Sequence, residues 1–255
     1  MCSFSQPVEK VSGTNIFARA YGGKQLLVYS MAYAAKSELA MVLPIPVPPN
    51  SPEEAVRFIN LEKCPDFFVE LSEGFPDAAI YQMGASLEAM SRTLKVHEVG
   101  AYEASFVPRP EEFGRLDDRF RLPAEIWLEL NNYQDWGFAV FKLKRTELTP
   151  VHPMAFEFPR RDRSRLFFPT LHVHNRRFER RAFFDHTLYC QPEPAMNWHM
   201  HEWEESDGAA AEFVHCAEAA SLLDLGYPCW RTVVKGMRKN RDTWLGKGEI
   251  VPEWS

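Results

Sequence analysis

The chain has 255 residues, 45% of them hydrophobic and 13% aromatic, enough apolar side chain to bury the core of a single globular domain over residues 1–255. A net charge of −6 and a pI near 5.8 oppose a phosphate-tracking surface, so no nucleic-acid partner is expected. Apolar stretches such as "QLLVYSMAYAA" fall short of the ~20 residues of a membrane span, and "MCSFSQPVEK" lacks the basic leader and apolar core of a secretory signal, so a cytoplasmic protein with no membrane partner is expected.

Strands open the chain. "TNIFARA" and "KQLLVYSMAY" flank Gly22-Gly23, a pair free to take positive φ, which predicts a hairpin. "ELAMVLPIPV" reads as a third strand. It runs into Pro44, Pro46, Pro48 and Pro49, and proline donates no ladder hydrogen bond, so from about Pro44 it is expected to leave the sheet or lie at an edge. "SPEEAVRFINLEKC" carries a helix start: Ser51 as N-cap, Pro52 in the first turn and Glu54 closing a capping box. Pro65 ends that helix and begins a second, "PDFFVELSEG", with Phe67, Phe68 and Leu71 inward and Gly74 placed to cap.

Further strands are expected at "AAIYQMG", "LKVHEVG" and "YEASFV", then a short helix from Pro123 in "LPAEIWLELNNY". "WGFAVFKLK" alternates as a half-buried strand, and "VHPMAFEF" follows it. Next comes a long hairpin, "LHVHNRRFERRAFFDHTLYC", and a late helix is read in "SDGAAAEFVHCAEAASLLDLG", ended by Gly226. The tail from Tyr227 is polar and dotted with tryptophan. Strands outnumber helices and many connections are short. The class is therefore α+β: predominantly antiparallel sheets with two helices of the N-terminal half and one C-terminal helix packed on them.

Cys2, Cys64, Cys190, Cys216 and Cys229 are odd in number, scattered and without a CxxC pair, and read as reduced thiols. Zinc-finger spacing, phosphate-loop and dinucleotide glycines, GxSxG and HExxH are all absent, which removes the common enzyme classes. "RRDRSR" (160–165) and "RRFERR" (176–181) concentrate positive charge and read as a solvated rim.

The histidine-bearing hairpin is the main chemical candidate. With Asn175-Arg176 at its turn, His174 lies opposite Arg177, Val173 opposite Phe178 and His172 opposite Glu179. Alternation then puts His172, His174, Glu179, Arg181, Phe183 and Asp185 on a polar face, and Leu171, Val173, Phe178, Ala182, Phe184, His186, Leu188 and Cys190 on an apolar one. His186 would sit about seven rungs, roughly 23 Å, from His172. Two imidazoles and one carboxylate form a ligand set used by catalytic zinc and non-haem iron, so His172, His174 and Glu179 are candidate ligands of zinc or another divalent transition metal, with Glu179 as ligand or base. "NWHMHEWEE" repeats the HxH spacing at His199 and His201, two reserve ligands.

Cys2 is a second candidate. Removal of Met1 would expose it as an N-terminal nucleophile whose own amine serves as base, with Arg19 as a charged partner. Three readings stand open: a metal-dependent enzyme acting on a small molecule or peptide, a non-enzymatic binding module using the Arg, His and aromatic side chains of the hairpin, and an N-terminal-cysteine amidohydrolase.

A Cys near the start, then "PVEKV", "IFARA", "LLVYSMAY", "LAMVLPIPVPP", "VGAYEASFV", "WLELNNY" and "FAVFKLK", gives residues 2–158 an order that resembles a bacterial family of unknown function with a proline-ended VLPxP strand. The resemblance implies no activity. Members of that family carry a signal peptide and often a membrane anchor, neither of which is visible here, and the histidine-rich part lies outside the match.

Overall fold

A computed structural model describes residues 3–75, 103–150, 152–175, 177–193, 200 and 202–246. The hairpin expected at the start is there: β2 (Lys10–Tyr21) and β3 (Lys24–Ala35), following a short β1 (Ser3–Phe4), turn through Gly22 at φ 53° and Gly23 at φ 78°, a region that favours glycine. β3 pairs on its other side with β8 (Thr146–Pro150) and β9 (Met154–Pro159), and β9 with β5 (Arg57–Ile59). β2 runs parallel to β13 (Arg181–Gln191), which pairs antiparallel with β15 (Trp230–Lys239), and the two-residue β14 (Glu204–Glu205) lies against the end of β15. These strands form an eight-stranded sheet.

A six-stranded sheet has the order β12 (Arg177–Phe178), β11 (Val173–His174), β1, β4 (Leu39–Ile45), β7 (Gly137–Leu143), β6 (Glu103–Val107), and β10 (Arg165–Phe168) pairs with β16 (Thr243–Gly246) apart from both. Among the described residues the α-helices are short: α1 (Phe67–Glu73), α2 (Ala124–Glu129) and α3 (Ala219–Leu222). The fold is α+β with the sheets dominant.

Alternation along the central strands sends side chains into different cores. Leu27 and Tyr29 of β3 meet Met41, Leu43 and Phe141 of the six-stranded sheet, while Leu26 and Val28 point the other way, to Phe67 and Leu71 of α1 and Leu222 of α3. The outer face of the six-stranded sheet, with Val42, Phe138 and Val140, is covered by Phe113, Phe120, Ile126 and Tyr133. Strands buried on both faces read as continuous apolar runs, which is why "QLLVYSMAYAA" shows little alternation.

Close packing leaves no room at Gly137, where an added Cβ would stand 2.4 Å from Phe106 Cε2 and 2.9 Å from Val47 Cγ2. Gly137→Ala should therefore lower stability by about 1–3 kcal/mol, read as a shifted urea midpoint with an unchanged slope.

Several expectations are corrected. "SPEEAVRFINLEKC" forms a 3-10 turn at Glu53–Ala55 and then strand β5, and the Ser51 hydroxyl donates to the Pro48 carbonyl at 2.7 Å instead of capping a helix. Tertiary burial overrides the local helix signals: as a strand the segment seats Phe58 against Phe141 and Phe156, at 5.6 and 6.0 Å between ring centroids. β4 lies between β1 and β7 with Pro44 opposite Phe138, so the strand keeps its place in the sheet as far as Ile45.

The late helix is broken into a 3-10 turn at Ala210–Glu212 and the short α3. Between them Glu70 Oε2 accepts the main-chain N–H of His215 and of Cys216, at 2.7 and 3.0 Å, and Cys216 is joined to Cys64 in a disulfide, which overturns the reading of those two residues as thiols. Cys190 and Cys229 are buried free thiols. The basic run at 160–165 is not all rim, because Arg160 is only 5% exposed and donates to the carbonyls of Arg163 and Arg165. The strands expected at "AAIYQMG" and "LKVHEVG" lie outside the described residues.

Candidate functional site

The histidine hairpin begins as its sequence requires. Asn175 takes φ 52°, and the register is His174 opposite Arg177 and Val173 opposite Phe178. There the ladder stops. In place of the next rung the Asn240 side chain spans the two strands: Nδ2 donates to the carbonyls of His172 and Glu179, both at 2.7 Å, and Oδ1 accepts from the His172 N–H at 2.7 Å. The chain then crosses to the eight-stranded sheet, where β13 begins at Arg181.

That crossing folds His186 back onto its neighbours, and the ring centroids of His172 and His186 lie 5.2 Å apart instead of seven rungs. His174 is 5.5 Å from His172, Phe184 is 4.3 Å from His172, and Phe4 is 5.8 Å from His174. His172, expected on a polar face, is buried at 5% exposure, whereas Glu179 is exposed, so burial separates the pair that alternation had put together. Among the described residues no group of three or more His, Cys, Asp and Glu side chains is arranged to hold a metal ion. His199, His201 and Cys2 lie outside the described residues. Arg19, the partner suggested for Cys2, faces Asp224 at 3.7 Å and stacks over Tyr21 at 5.3 Å.

Desolvation sets the electrostatics of the cluster. It holds His172 down to about 2 and His174 to about 4, and pushes His186 well below the ordinary imidazole range. All three are neutral near pH 7 and lie far from the pKa that general acid–base work at that pH requires. Packed among Phe4 and Phe184, they serve as aromatic core.

The other side of the same strands is different. Along β13, Arg181, Phe183 and Asp185 are exposed while Phe184 and His186 are buried; along β15, Val233, Lys235, Met237 and Lys239 are exposed while Val234 is buried. Register places Arg181 opposite Lys239, Phe183 opposite Met237, Asp185 opposite Lys235 and Thr187 opposite Val233, so these side chains share one face. Phe183, Val233 and Met237 are 59%, 57% and 54% exposed, and cationic side chains flank them.

This face continues the outer surface of the eight-stranded sheet. Further along, the surface is covered: Tyr189 packs against Phe68 and Phe75 at 6.0 and 5.9 Å, and the Arg231 guanidinium lies 4.6 Å from the Phe75 ring centroid. Among the described residues, that cover ends beyond the Tyr189 and Arg231 pair. The β13–β15 ribbon thus rests its inner side on the histidine cluster and turns an apolar, basic face outward.

No family model matches the chain. Among solved structures it is similar to baculovirus P35. The crystal structure of P35 has a TM-score of 0.49 at 12% identity, with 96% of this chain and 99% of that chain covered. A mutated P35 after caspase cleavage gives 0.42 at 12% identity, over 94% and 100%. The caspase-8/P35 complex gives 0.41 at 11% identity, over 92% and 96%.

Alternation in the sequence puts Arg181, Phe183 and Asp185 on the polar face, and they are exposed, but it groups them with the buried His172, and the residues of β15 fall inside what reads as a polar tail. A signal for β15 was present: "RTVVKGMRK" places Val233, Lys235 and Met237 at every second position. What it lacked was a partner strand, which lies about fifty residues upstream by register, Lys235 standing opposite Asp185.

Proposed function

We propose that the chain is a binding module without chemistry of its own, engaging an extended peptide or protein surface through the outer face of β13 and β15. The observation that carries this reading is the alignment of Phe183, Met237 and Val233, each more than half exposed, in register on one face. Large apolar side chains gathered at one place on a surface mark interaction sites, whereas scattered ones do not. Neutral, core-packed histidines support the same reading, since the cluster holds no imidazolium to act as a general acid near pH 7. No helix among the described residues is long and apolar enough to cross a membrane.

A peptide library displayed on phage tests the proposal. Clones enriched on the wild-type chain should be lost with Phe183→Ser combined with Met237→Ser, by about a hundredfold in affinity for the best of them, and should be retained with His174→Ala. The Phe183 and Met237 variant should melt like wild type, because that pair is exposed. Enrichment that ignores the Phe183 and Met237 substitutions but disappears with His174→Ala would refute the assignment and return the function to the histidines.

A further inference from the structure

The same ribbon has an edge as well as a face. β15 pairs with β13 along its whole length, but on its other side β14 covers only Trp230 and Arg231, opposite Glu205 and Glu204. Among the described residues no strand lies against that edge from Thr232 to Met237. An open strand edge presents main-chain N–H and C=O groups in the pattern that another extended chain completes.

The molecule shows which chemistry the edge accepts. Its own β14 is the acidic dipeptide Glu204-Glu205, and the Glu204 carboxylate is bonded to the Arg231 guanidinium. After that contact the cations continue along the ribbon. Lys235 and Lys239 stand on the outward face of β15 and Arg181 opposite Lys239, against the single carboxylate of Asp185. The main-chain N–H of Trp203 donates to the Met200 carbonyl at 3.0 Å, a turn immediately before β14. The chain's own acidic strand therefore ends where the row of lysines and exposed apolar side chains begins.

From this arrangement we infer that the Thr232 to Met237 edge receives an extended acidic segment of a partner protein as an added strand. Its carboxylates face Lys235 and Lys239 and its apolar side chains cover Val233, Met237 and Phe183. The inference rests on the binding reading above and specifies the mode and charge of the partner. It also accounts for basic side chains gathered on a chain whose net charge is −6.

Fluorescence anisotropy on the full chain tests it, with a fluorescein-labelled peptide of about ten residues as probe, in which valine and glutamate take turns at every second position with threonine between them, so that both kinds of side chain share one face. Saturable binding is expected. The same peptide N-methylated at every second residue should bind about tenfold more weakly in one of its two registers, because it cannot donate to the edge. Lys235→Glu with Lys239→Glu should weaken the unmodified peptide by at least about tenfold, and a lysine–valine peptide should not bind.

Binding that is lost with Phe183→Ser and Met237→Ser but is insensitive to N-methylation in both registers would overturn strand addition and leave the face intact. Peptide binding indifferent to both the face and the methyl groups would overturn both ideas. Failure to bind the peptide, together with binding to phosphatidylserine–phosphatidylcholine vesicles that Lys235→Glu and Lys239→Glu abolish, would replace the acidic segment by a lipid surface.

Discussion

Asn240→Ala should destabilise the folded chain by about 3 kcal/mol, on the order of 1 kcal/mol for each of the three hydrogen bonds it removes, two of them buried and the one to Glu179 part-buried. Asn240 is 7% exposed and its amide is the only described side chain that bonds to both His172 and Glu179, so truncation leaves the buried His172 main-chain groups without that partner and unties Glu179 from them. Asn240→Asp should be worse than alanine, since it turns a carboxylate oxygen toward two carbonyl oxygens now 2.7 Å from a donor. Urea unfolding at neutral pH measures both. A loss of under about 1 kcal/mol for the alanine variant would show that the hairpin holds its place without this bridge.

The histidine cluster makes a second large effect, on acid stability. Its folded-state pKa values lie below that of an unfolded histidine, so the unfolded chain binds more protons as pH falls. The stability contributed by these neutral imidazoles is fully present above about pH 6.5, and it is lost progressively below that toward the depressed values. Between about pH 7 and pH 5 the loss is roughly 2 kcal/mol for each histidine that stays neutral in the fold.

Asp242 works in the opposite direction. Burial raises its carboxyl to about 6, even though it accepts hydrogen bonds from the Tyr133 hydroxyl and the Leu171 N–H, so acidification over the same interval returns on the order of 1 kcal/mol. The net is a marked acid destabilisation starting near pH 6.5. His172→Phe should remove about a third of the cluster's slope. It should leave neutral-pH stability nearly unchanged, because His172 Nε2 is buried without a hydrogen-bond partner. An undiminished slope in that variant would mean that the cluster does not carry the acid sensitivity.

Features set by neighbouring residues were legible without a structure. Gly22-Gly23 and Asn175 hold positive φ and fix their turns, and the register of His174 with Arg177 and Val173 with Phe178 follows from Asn175 alone. Period-2 alternation placed Arg181, Phe183 and Asp185 on one face and Phe184 and His186 on the other. The excess of strands over helices and the short connections were enough to assign α+β.

Features that depend on what lies across a gap were not legible. The helix signals at Ser51, Pro52 and Glu54 are genuine but weak beside the burial that Phe58 gains as part of an edge strand, and the late helix gives way where Glu70 binds two of its N–H groups and Cys64 claims Cys216.

The same division holds for the candidate site. The amino-acid order by itself determined which side chains of the hairpin alternate and that three histidines fall close together in the chain, because backbone geometry has a fixed period. Only the tertiary structure decided that His172 and His186 meet in a buried aromatic cluster and that Phe183, Val233 and Met237 line up in the open. Those outcomes depend on where the chain leaves one sheet for the other after Phe178, and on a partner strand far away in sequence. Local geometry sets neither, since both are chosen by the packing of the whole molecule.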